Sequence, residues 1–174
     1  VDRLTALMRE LPRLRLVQTL NAGTEQWAGR LPEGVALSNA RGAHGGSTAE
    51  WAAAVLLTIH RELREFALDQ AAAVWRFRVT DTLDGKRVLI LGAGDLATNL
   101  QRRLEPFGVE TTLVGRRPRA GVHALGDLTE LLGDQDAVVV MLPLTSQTRH
   151  LVDAEFLARM RDGAILVNAS RGPL

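Results

Sequence analysis

The chain has 174 residues, an apolar fraction of 46% and a formal net charge of +1. A balanced charge without long runs of one sign argues against nucleic acid or a membrane surface as partner, because both usually require a basic face. The sequence contains no cysteine, which excludes disulfides and thiolate metal sites, and we expect no bound metal. No apolar stretch approaches the roughly 20 residues that span a bilayer, and no signal segment opens the chain, so we expect a cytoplasmic protein.

The pattern of the first part of the sequence predicts a short helix and two short strands, followed by one long helix. Apolar spacing predicts a helix over residues 4–11 and strands over residues 14–20 and 35–38. The glycine-rich stretch 41–46 predicts a loop or hinge. Ser47 and Glu50 match a capping box, which predicts the start of a helix that runs to about Leu68. We expect residues 71–83 to cross the surface.

From residue 84 onward, strands alternate regularly with helices. We predict five strands and three helices: strands 88–91, 111–114, 122–124, 137–142 and 164–167, and helices 95–105, 128–132 and 153–160. Such alternation implies right-handed crossovers and a parallel sheet with helices on both faces. The predicted fold class is therefore α/β, with a Rossmann-type doubly wound sheet.

The turn after the first of these strands has the pattern of a dinucleotide-binding turn. Gly92 permits a tight turn, Gly94 lets the backbone approach a pyrophosphate, and Ala97 lets the helix pack on the strand. Asp95 and Leu96 open the helix, whose first N–H groups favour phosphate. The alternative to a dinucleotide-binding turn is an ordinary turn between a strand and a helix. The buried strand before the glycines and the helix after them favour the binding of a nicotinamide cofactor.

The end of the next strand discriminates between the two nicotinamide cofactors. An acidic residue there would bind the ribose 2′-hydroxyl of NAD. This chain has Gly115, Arg116 and Arg117 instead, which favours NADP(H), because two guanidinium groups can pair with a 2′-phosphate. The alternative is that both arginines are solvated loop charges.

Six segments in order carry a family resemblance. They are Gly46-Ser47-Thr48-Ala49-Glu50, Leu83-Asp84-Gly85-Lys86, the turn from Gly92 to Ala97, Pro106-Phe107-Gly108, Leu142-Pro143-Leu144-Thr145 and Asn168-Ala169-Ser170-Arg171-Gly172. With them the chain resembles the D-isomer-specific 2-hydroxyacid dehydrogenases. The resemblance implies two α/β domains, with the nucleotide domain inserted into the substrate domain. By this analogy residues 1–45 are the end of the first substrate-domain segment and residues 46–174 are most of the Rossmann domain, so we expect both ends of the chain to be cut.

The resemblance also implies the chemistry and its residues. The family transfers hydride between nicotinamide C4 and C2 of a 2-keto or 2-hydroxy acid. Its arginine corresponds to Arg171, which would bind the substrate carboxylate and polarise the keto oxygen. The family's catalytic histidine and glutamate come after this segment, so we expect the 174-residue chain to be inactive by itself. We predict that His60, His123 and His150 are solvated. His44 stays a candidate that borders the cleft between the two domains, where the resemblance places the active site.

Further contacts follow from the same analogy. Leu142 and Pro143 would lie under the nicotinamide ribose, and Ala169 and Ser170 would line the nicotinamide. The other implied positions are Ala22 and Gly23, whose backbone N–H groups would meet the substrate carboxylate, and Thr148, a weaker candidate that could instead begin a helix with Thr145 and Ser146.

Three functions remain open at the level of sequence. The leading interpretation is an NADP(H)-linked reductase of small 2-keto acids such as glyoxylate or hydroxypyruvate. We expect it to be a homodimer through the helix that contains residues 51–55, with burial inside the monomer as the alternative. A phosphoglycerate or formate dehydrogenase would share the fold. A non-catalytic NAD(H) sensor resembling the C-terminal-binding-protein corepressors is the third; Gly115 in place of an acid argues against it.

Overall fold

A computed structural model describes residues 2–27 and 29–174. The first part forms helix α1 (Asp2–Arg9) and a parallel pair of short strands, β1 (Leu16–Gln18) and β2 (Ala36–Ser38). Leu16 of β1 aligns with Ala36 of β2. Both strands lie inside the runs predicted for them and are shorter than those runs, whereas α1 begins and ends two residues earlier than the predicted helix 4–11.

A five-stranded parallel sheet forms the centre of the remaining chain. Its strands are β3 (Arg87–Leu91), β4 (Glu110–Gly115), β5 (Val122–Ala124), β6 (Ala137–Val140) and β7 (Ile165–Asn168). Their order is β5-β4-β3-β6-β7, and every neighbouring pair is parallel. The chain therefore builds outward from β3 in one direction and then crosses back to β6. This confirms the predicted Rossmann-type doubly wound sheet and places its switch point between β3 and β6.

Five helices accompany this sheet. They are α2 (Gly45–His60), α3 (Leu63–Ala71), α4 (Asp95–Leu104), α5 (Leu128–Leu131) and α6 (Ala154–Arg159). Strand β3 is buried on both faces, as its unbroken apolar run predicts.

Alternate residues of β3 belong to two separate apolar cores. Val88 and Ile90 lie in the core that includes Leu56 of α2 and Leu100 of α4. The opposite core holds Leu89 and Leu91 with Leu128 of α5 and Phe156 of α6. Because the core is built on both sides of β3, the strand and the turn that follows it are held firmly in place.

The capping box predicted at Ser47 is wrong. Helix α2 begins two residues earlier, at Gly45, with His44 as its N-cap, and the Ser47 hydroxyl donates to the His44 carbonyl oxygen at 3.2 Å. The reason lies in Gly45, which is buried against the Asp95 carboxylate where any Cβ would overlap it. The close packing at Gly45 therefore places the start of the helix before Ser47, the residue that the capping pattern predicts.

The long helix predicted to reach about Leu68 is also divided. It ends at His60, and Glu62 adopts a left-handed conformation with φ of 47° before α3 begins. His60 is buried, and its Nδ1 lies 3.1 Å from a carboxylate oxygen of Asp81, so the prediction of a solvated His60 is wrong. The partner of His60 comes from a segment distant in sequence, which helical periodicity cannot reveal.

Residues 74–82 have no regular secondary structure and cross the surface, as predicted. Trp75 is 94% exposed, Phe77 81% and Val79 86%. The outer side of α2 and α3 is also apolar, since Trp51, Ile59 and Leu63 are each about half exposed. None of the helices in the described part of the chain is both long and apolar enough to cross a membrane.

Candidate functional site

The carboxyl ends of the parallel strands share one edge of the sheet, and the predicted site residues follow these ends. The four segments concerned are 92–97 after β3, 115–117 after β4, 142–143 after β6 and 169–171 after β7. In open α/β sheets, ligands bind at this edge beside the switch point of the strand order. The fold therefore brings these segments to one side of the domain.

Gly92 is the residue whose backbone makes the first turn possible. Its φ is +134°, a conformation that L side chains rarely adopt, and a Cβ would lie 2.8 Å from the Met141 carbonyl oxygen. Its N–H donates to the Val114 carbonyl oxygen at 2.7 Å. The turn is thus joined to the strands on both sides, and only glycine fits there.

Gly94 has a different environment. It is the N-cap of α4, and none of the described residues has an atom within 4 Å of the position that a Cβ would take. Among the described residues no side chain caps this helix. The first-turn N–H groups therefore adjoin open space, which fits the pyrophosphate of a dinucleotide.

The Asp95 side chain contacts α2. Its carboxylate lies against Gly45, and Asn99 Nδ2 donates to Asp95 Oδ1 at 3.0 Å. The carboxylate of Asp95 is therefore turned toward α2, and its hydrogen bond comes from Asn99 of its own helix, α4. Leu96 packs against the core on the α2 and α4 side of the sheet, so its contribution at the edge is its backbone N–H.

The turn after β4 carries three arginines, of which the sequence analysis considered two. Arg116 and Arg117 are exposed, and neither guanidinium makes a hydrogen bond or ion pair within residues 2–27 and 29–174. Arg119 Nη2 donates to the Ala93 carbonyl oxygen at 2.7 Å, which joins this turn to the glycine turn. Gly115 is tightly enclosed, since a Cβ would lie 3.1 Å from both Ala93 Cβ and Val122 Cγ1.

A hydroxyl holds the segment after β6. Leu142 is buried and Pro143 is exposed. The buried Thr148 hydroxyl donates to the Pro143 carbonyl oxygen at 2.7 Å and accepts from the Thr145 N–H at 2.8 Å. Residues 146–150 form turns, so Thr148 closes the loop and does not begin a helix.

Asn168 and Ser170 fix the segment after β7. Asn168 Oδ1 accepts from the Ser170 N–H at 2.9 Å, and its Nδ2 donates to the Arg171 carbonyl oxygen at 3.0 Å. The Ser170 hydroxyl and the Ala169 N–H both donate to the Val140 carbonyl oxygen, each at 3.0 Å. These bonds hold the backbone that carries Arg171 beside the end of β6.

Arg171 meets the loop after β1, nearly the whole chain away in sequence. Its Nε donates to Glu25 Oε1 at 2.9 Å, and a Cβ on Gly23 would lie 2.5 Å from its Nη2. A bond from its own backbone N–H lowers the pKa of Glu25; partial burial opposes this, and the Arg171 guanidinium lowers the pKa further. Ala22 belongs to the same loop, and its carbonyl oxygen accepts from Asn39 Nδ2 at 2.8 Å. No local pattern in the sequence relates Glu25 to Arg171, so Glu25 is not among the predicted site residues.

The described histidines make no hydrogen bond or ion pair with Arg171 or Glu25. His44 Nε2 lies 2.8 Å from the Leu20 carbonyl oxygen, near the start of the same loop. His123 and His150 are exposed. No hydrogen bond or ion pair connects a described histidine to Arg171. Within the described ranges, no three His, Asp or Glu side chains form a group that could hold a metal ion.

Comparison with known proteins identifies the family. Residues 53–174 match the family described as D-isomer specific 2-hydroxyacid dehydrogenase, NAD binding domain. A glyoxylate/hydroxypyruvate reductase B of Yersinia enterocolitica is 30% identical over 97% of this chain and 56% of its own length. The chain thus spans about half the length of the curated relatives it matches.

Solved structures agree with this match. A D-isomer specific 2-hydroxyacid dehydrogenase family protein from Aeromonas salmonicida has a TM-score of 0.89 and 30% identity, over 98% of this chain and 57% of that one. A family member from Xanthobacter autotrophicus, solved in complex with NADPH and MES, has a TM-score of 0.81 and 31% identity, over 97% and 56%. The chain therefore belongs to the D-isomer specific 2-hydroxyacid dehydrogenases, with a Rossmann domain of the NAD(P)-binding type.

Proposed function

We propose that the full-length protein containing this chain reduces small 2-keto acids of the glyoxylate or hydroxypyruvate kind with NADPH. The observation that carries the proposal is the contact between Arg171 and the loop at Gly23, on the sheet edge that also carries the glycine turn. A dinucleotide turn, a guanidinium and an exposed loop backbone together offer places for the cofactor and for a carboxylate-bearing ketone. The relatives named as glyoxylate/hydroxypyruvate reductases support this substrate class.

The chain offers a place for each part of the cofactor. The pyrophosphate would lie at Gly94 and the first turn of α4, and Arg116 and Arg117 would pair with a 2′-phosphate. The nicotinamide end would lie against the remaining predicted positions: Leu142, Pro143, Ala169 and Ser170. When bound, the nicotinamide supplies or accepts the hydride. The related structure with NADPH supports the choice of the phosphorylated cofactor.

Arg171 would bind the substrate. Its guanidinium has five N–H donors in one plane, so it can hold a carboxylate and polarise a keto oxygen. Ala22 and Gly23 would add backbone N–H groups on the other side of the carboxylate. Arg171 cannot supply the proton that reduction requires, because a guanidinium group does not give up a proton in proteins. We infer that a histidine elsewhere in the full-length protein donates it, as the family resemblance implies.

The same proposal assigns the two parts of the chain to two domains of the full-length protein and pairs that protein with a second copy. Residues 1–45 would be a substrate-domain segment and residues 46–174 the cofactor domain. The exposed apolar side chains of α2 and of residues 74–79 would pair with a second copy to form a homodimer. A cytoplasmic location stays a prediction.

The test is direct. The purified full-length protein is mixed with NADPH and either glyoxylate or hydroxypyruvate, and cofactor oxidation is followed by absorbance. We expect saturable turnover with at least one of the two acids. Tight NADPH binding without turnover of either acid would contradict the proposal and favour a cofactor-sensing protein.

A further inference from the structure

The Arg171 guanidinium is held on three sides. Its Nε donates to Glu25 Oε1 at 2.9 Å, and its Nη1 donates to the Ser170 carbonyl oxygen at 3.2 Å. Its Nη2 lies against Gly23, at a place where any Cβ would be in contact with it. Two of the three nitrogens are therefore engaged by the protein, and the third lies on the loop that we assign to the substrate carboxylate.

We propose that Glu25 is a positioning residue for Arg171, and that its charge restricts the substrates to 2-keto acids with a single carboxylate. The inference rests on the proposed function, since it concerns the same site. Glu25 is not a catalytic residue in this scheme, because it acts through Arg171 and not on the substrate.

The positioning role follows from the geometry of the guanidinium. An arginine side chain has many rotamers, and its order in the cleft requires partners that fix the plane of the guanidinium. The bond to Glu25 holds the Nε edge, so the opposite edge with Nη2 is turned toward Gly23. Without this bond the guanidinium would keep a single hydrogen bond, the one to the neighbouring Ser170 carbonyl oxygen, and its plane would be free to rotate.

The selectivity follows from charge. The Glu25 side chain is 32% exposed and that of Arg171 is 46% exposed, so solvent screens the pair only in part. Glu25 offsets much of the positive charge of Arg171, which leaves enough attraction for one carboxylate. A second anionic group on the substrate would lie within several ångströms of Glu25. At an intermediate effective dielectric this repulsion lowers affinity by a factor on the order of ten.

The experiment uses the full-length protein saturated with NADPH and two unreactive anions of similar size, oxamate with one charge and oxalate with two. Dissociation constants are measured by calorimetry for the wild type, Glu25→Gln, Glu25→Ala and the control Glu33→Gln. Glu33 is an exposed acid of the same part of the chain. Glu25→Gln removes the charge but keeps an oxygen that can accept from Nε. Thermal unfolding of each variant confirms that it is folded.

We expect Glu25→Gln to strengthen oxalate binding by on the order of tenfold more than oxamate binding, and Glu33→Gln to leave the ratio unchanged. In turnover with glyoxylate, Glu25→Gln should keep kcat within about threefold, whereas Glu25→Ala should lower kcat by at least tenfold because the guanidinium loses its orientation. An unchanged oxalate-to-oxamate ratio in Glu25→Gln would overturn the inference, as would failure of both anions to bind. A shifted ratio in a protein that reduces no keto acid would support Glu25 as the charge that selects among anions at Arg171 and would contradict the proposed reductase.

Discussion

Arg119 lies across the glycine turn, with Nη2 2.7 Å from the carbonyl oxygen of Ala93. This bond joins the turns after β3 and β4, which would enclose the adenosine end of a dinucleotide. It also distinguishes the three arginines of the second turn, because Arg119 is engaged by the backbone while Arg116 and Arg117 are exposed. The latter two are therefore the groups available to a 2′-phosphate.

Replacing both exposed arginines should remove the preference for NADPH. Arg116→Ala with Arg117→Ala should weaken NADPH binding by about 1.5–3 kcal/mol, the usual contribution of hydrogen bonds to charged groups. NADH affinity should remain nearly unchanged, because NADH has no phosphate at this position. Fluorescence titration of both cofactors measures the effect on the full-length protein.

The matched control for this experiment is Arg13→Ala, which removes an exposed arginine from the part of the chain before β1. Its two cofactor affinities should equal those of the wild type. Equal affinities of the wild-type protein for NADPH and NADH would contradict the assignment of Arg116 and Arg117.

Alanine at the two glycines of this turn should affect different properties, stability at Gly92 and cofactor affinity at Gly94. Gly92→Ala places a Cβ 2.8 Å from the Met141 carbonyl oxygen, at a φ of +134°. We therefore expect this substitution to lower the free energy of unfolding by about 1–3 kcal/mol. Gly94→Ala places a Cβ in open space, so its stability should stay within about 0.5 kcal/mol of the wild type. That Cβ would occupy the approach of the pyrophosphate, so NADPH affinity should fall more than about tenfold.

Urea unfolding without cofactor and NADPH titration separate the two effects. Gly126→Ala serves as control, because Gly126 lies outside the turn and a Cβ there would meet none of the described residues within 4 Å. If Gly94→Ala bound NADPH as well as the wild type, the pyrophosphate would have to lie elsewhere.

The sheet could be predicted from sequence because its strands are buried on both faces. The unbroken run Val88–Leu91 and the apolar run at residues 137–142 have no polar alternation, and helices of regular spacing separate the strands. The helix boundaries at Ser47 and Leu68 were wrong for a tertiary reason. Gly45 packs on Asp95, and His60 pairs with Asp81, and neither contact leaves a local pattern.

Some residues of the candidate site could likewise be predicted from the sequence and others could not. Residues that follow strand ends, such as Gly92 and Gly94, could be found because the backbone requirement is local. Glu25 and Arg119 could not be found, because their roles depend on contacts with Arg171 and Ala93 that only the fold creates. Long-range ion pairs carry no periodicity, so a single sequence gives no signal for them.

The exposed aromatic segment should be an interface. Trp75→Ser with Phe77→Ser should convert a dimer of the full-length protein to a monomer, since the two side chains are 94% and 81% exposed in the single chain. Analytical ultracentrifugation at micromolar concentration measures the state. Leu157→Ser, on the exposed side of α6, should leave the dimer intact. A wild-type protein that is monomeric at this concentration would rule out the interface.

Asp81 should make stability depend on acid pH. A hydrogen bond from the Lys86 ammonium, with smaller contributions from the Thr82 N–H and His60, lowers the pKa of Asp81 from 3.8 to about 2. Because the folded-state pKa is the lower one, the stabilisation is complete above about pH 4 and is lost as the pH falls toward about 2. Asp81→Asn should flatten the fall in unfolding free energy over this range. The difference from the wild type should be less than about 1 kcal/mol, because the Asp81 side chain is largely exposed.

The control for this measurement is Asp162→Asn, whose unfolding free energy should follow that of the wild type across the range. An Asp81→Asn curve parallel to the wild-type curve would contradict the assignment.

Turnover of the Arg171→Ala variant in the full-length protein tests the central claim most directly. The kcat/KM for glyoxylate and hydroxypyruvate with NADPH is measured for the wild type, Arg171→Ala and the exposed control Arg149→Ala. We predict that Arg171→Ala loses about 10²–10³-fold in kcat/KM while NADPH affinity and thermal stability remain unchanged, and that the control retains wild-type turnover. Turnover by Arg171→Ala equal to that of the wild type would contradict the account.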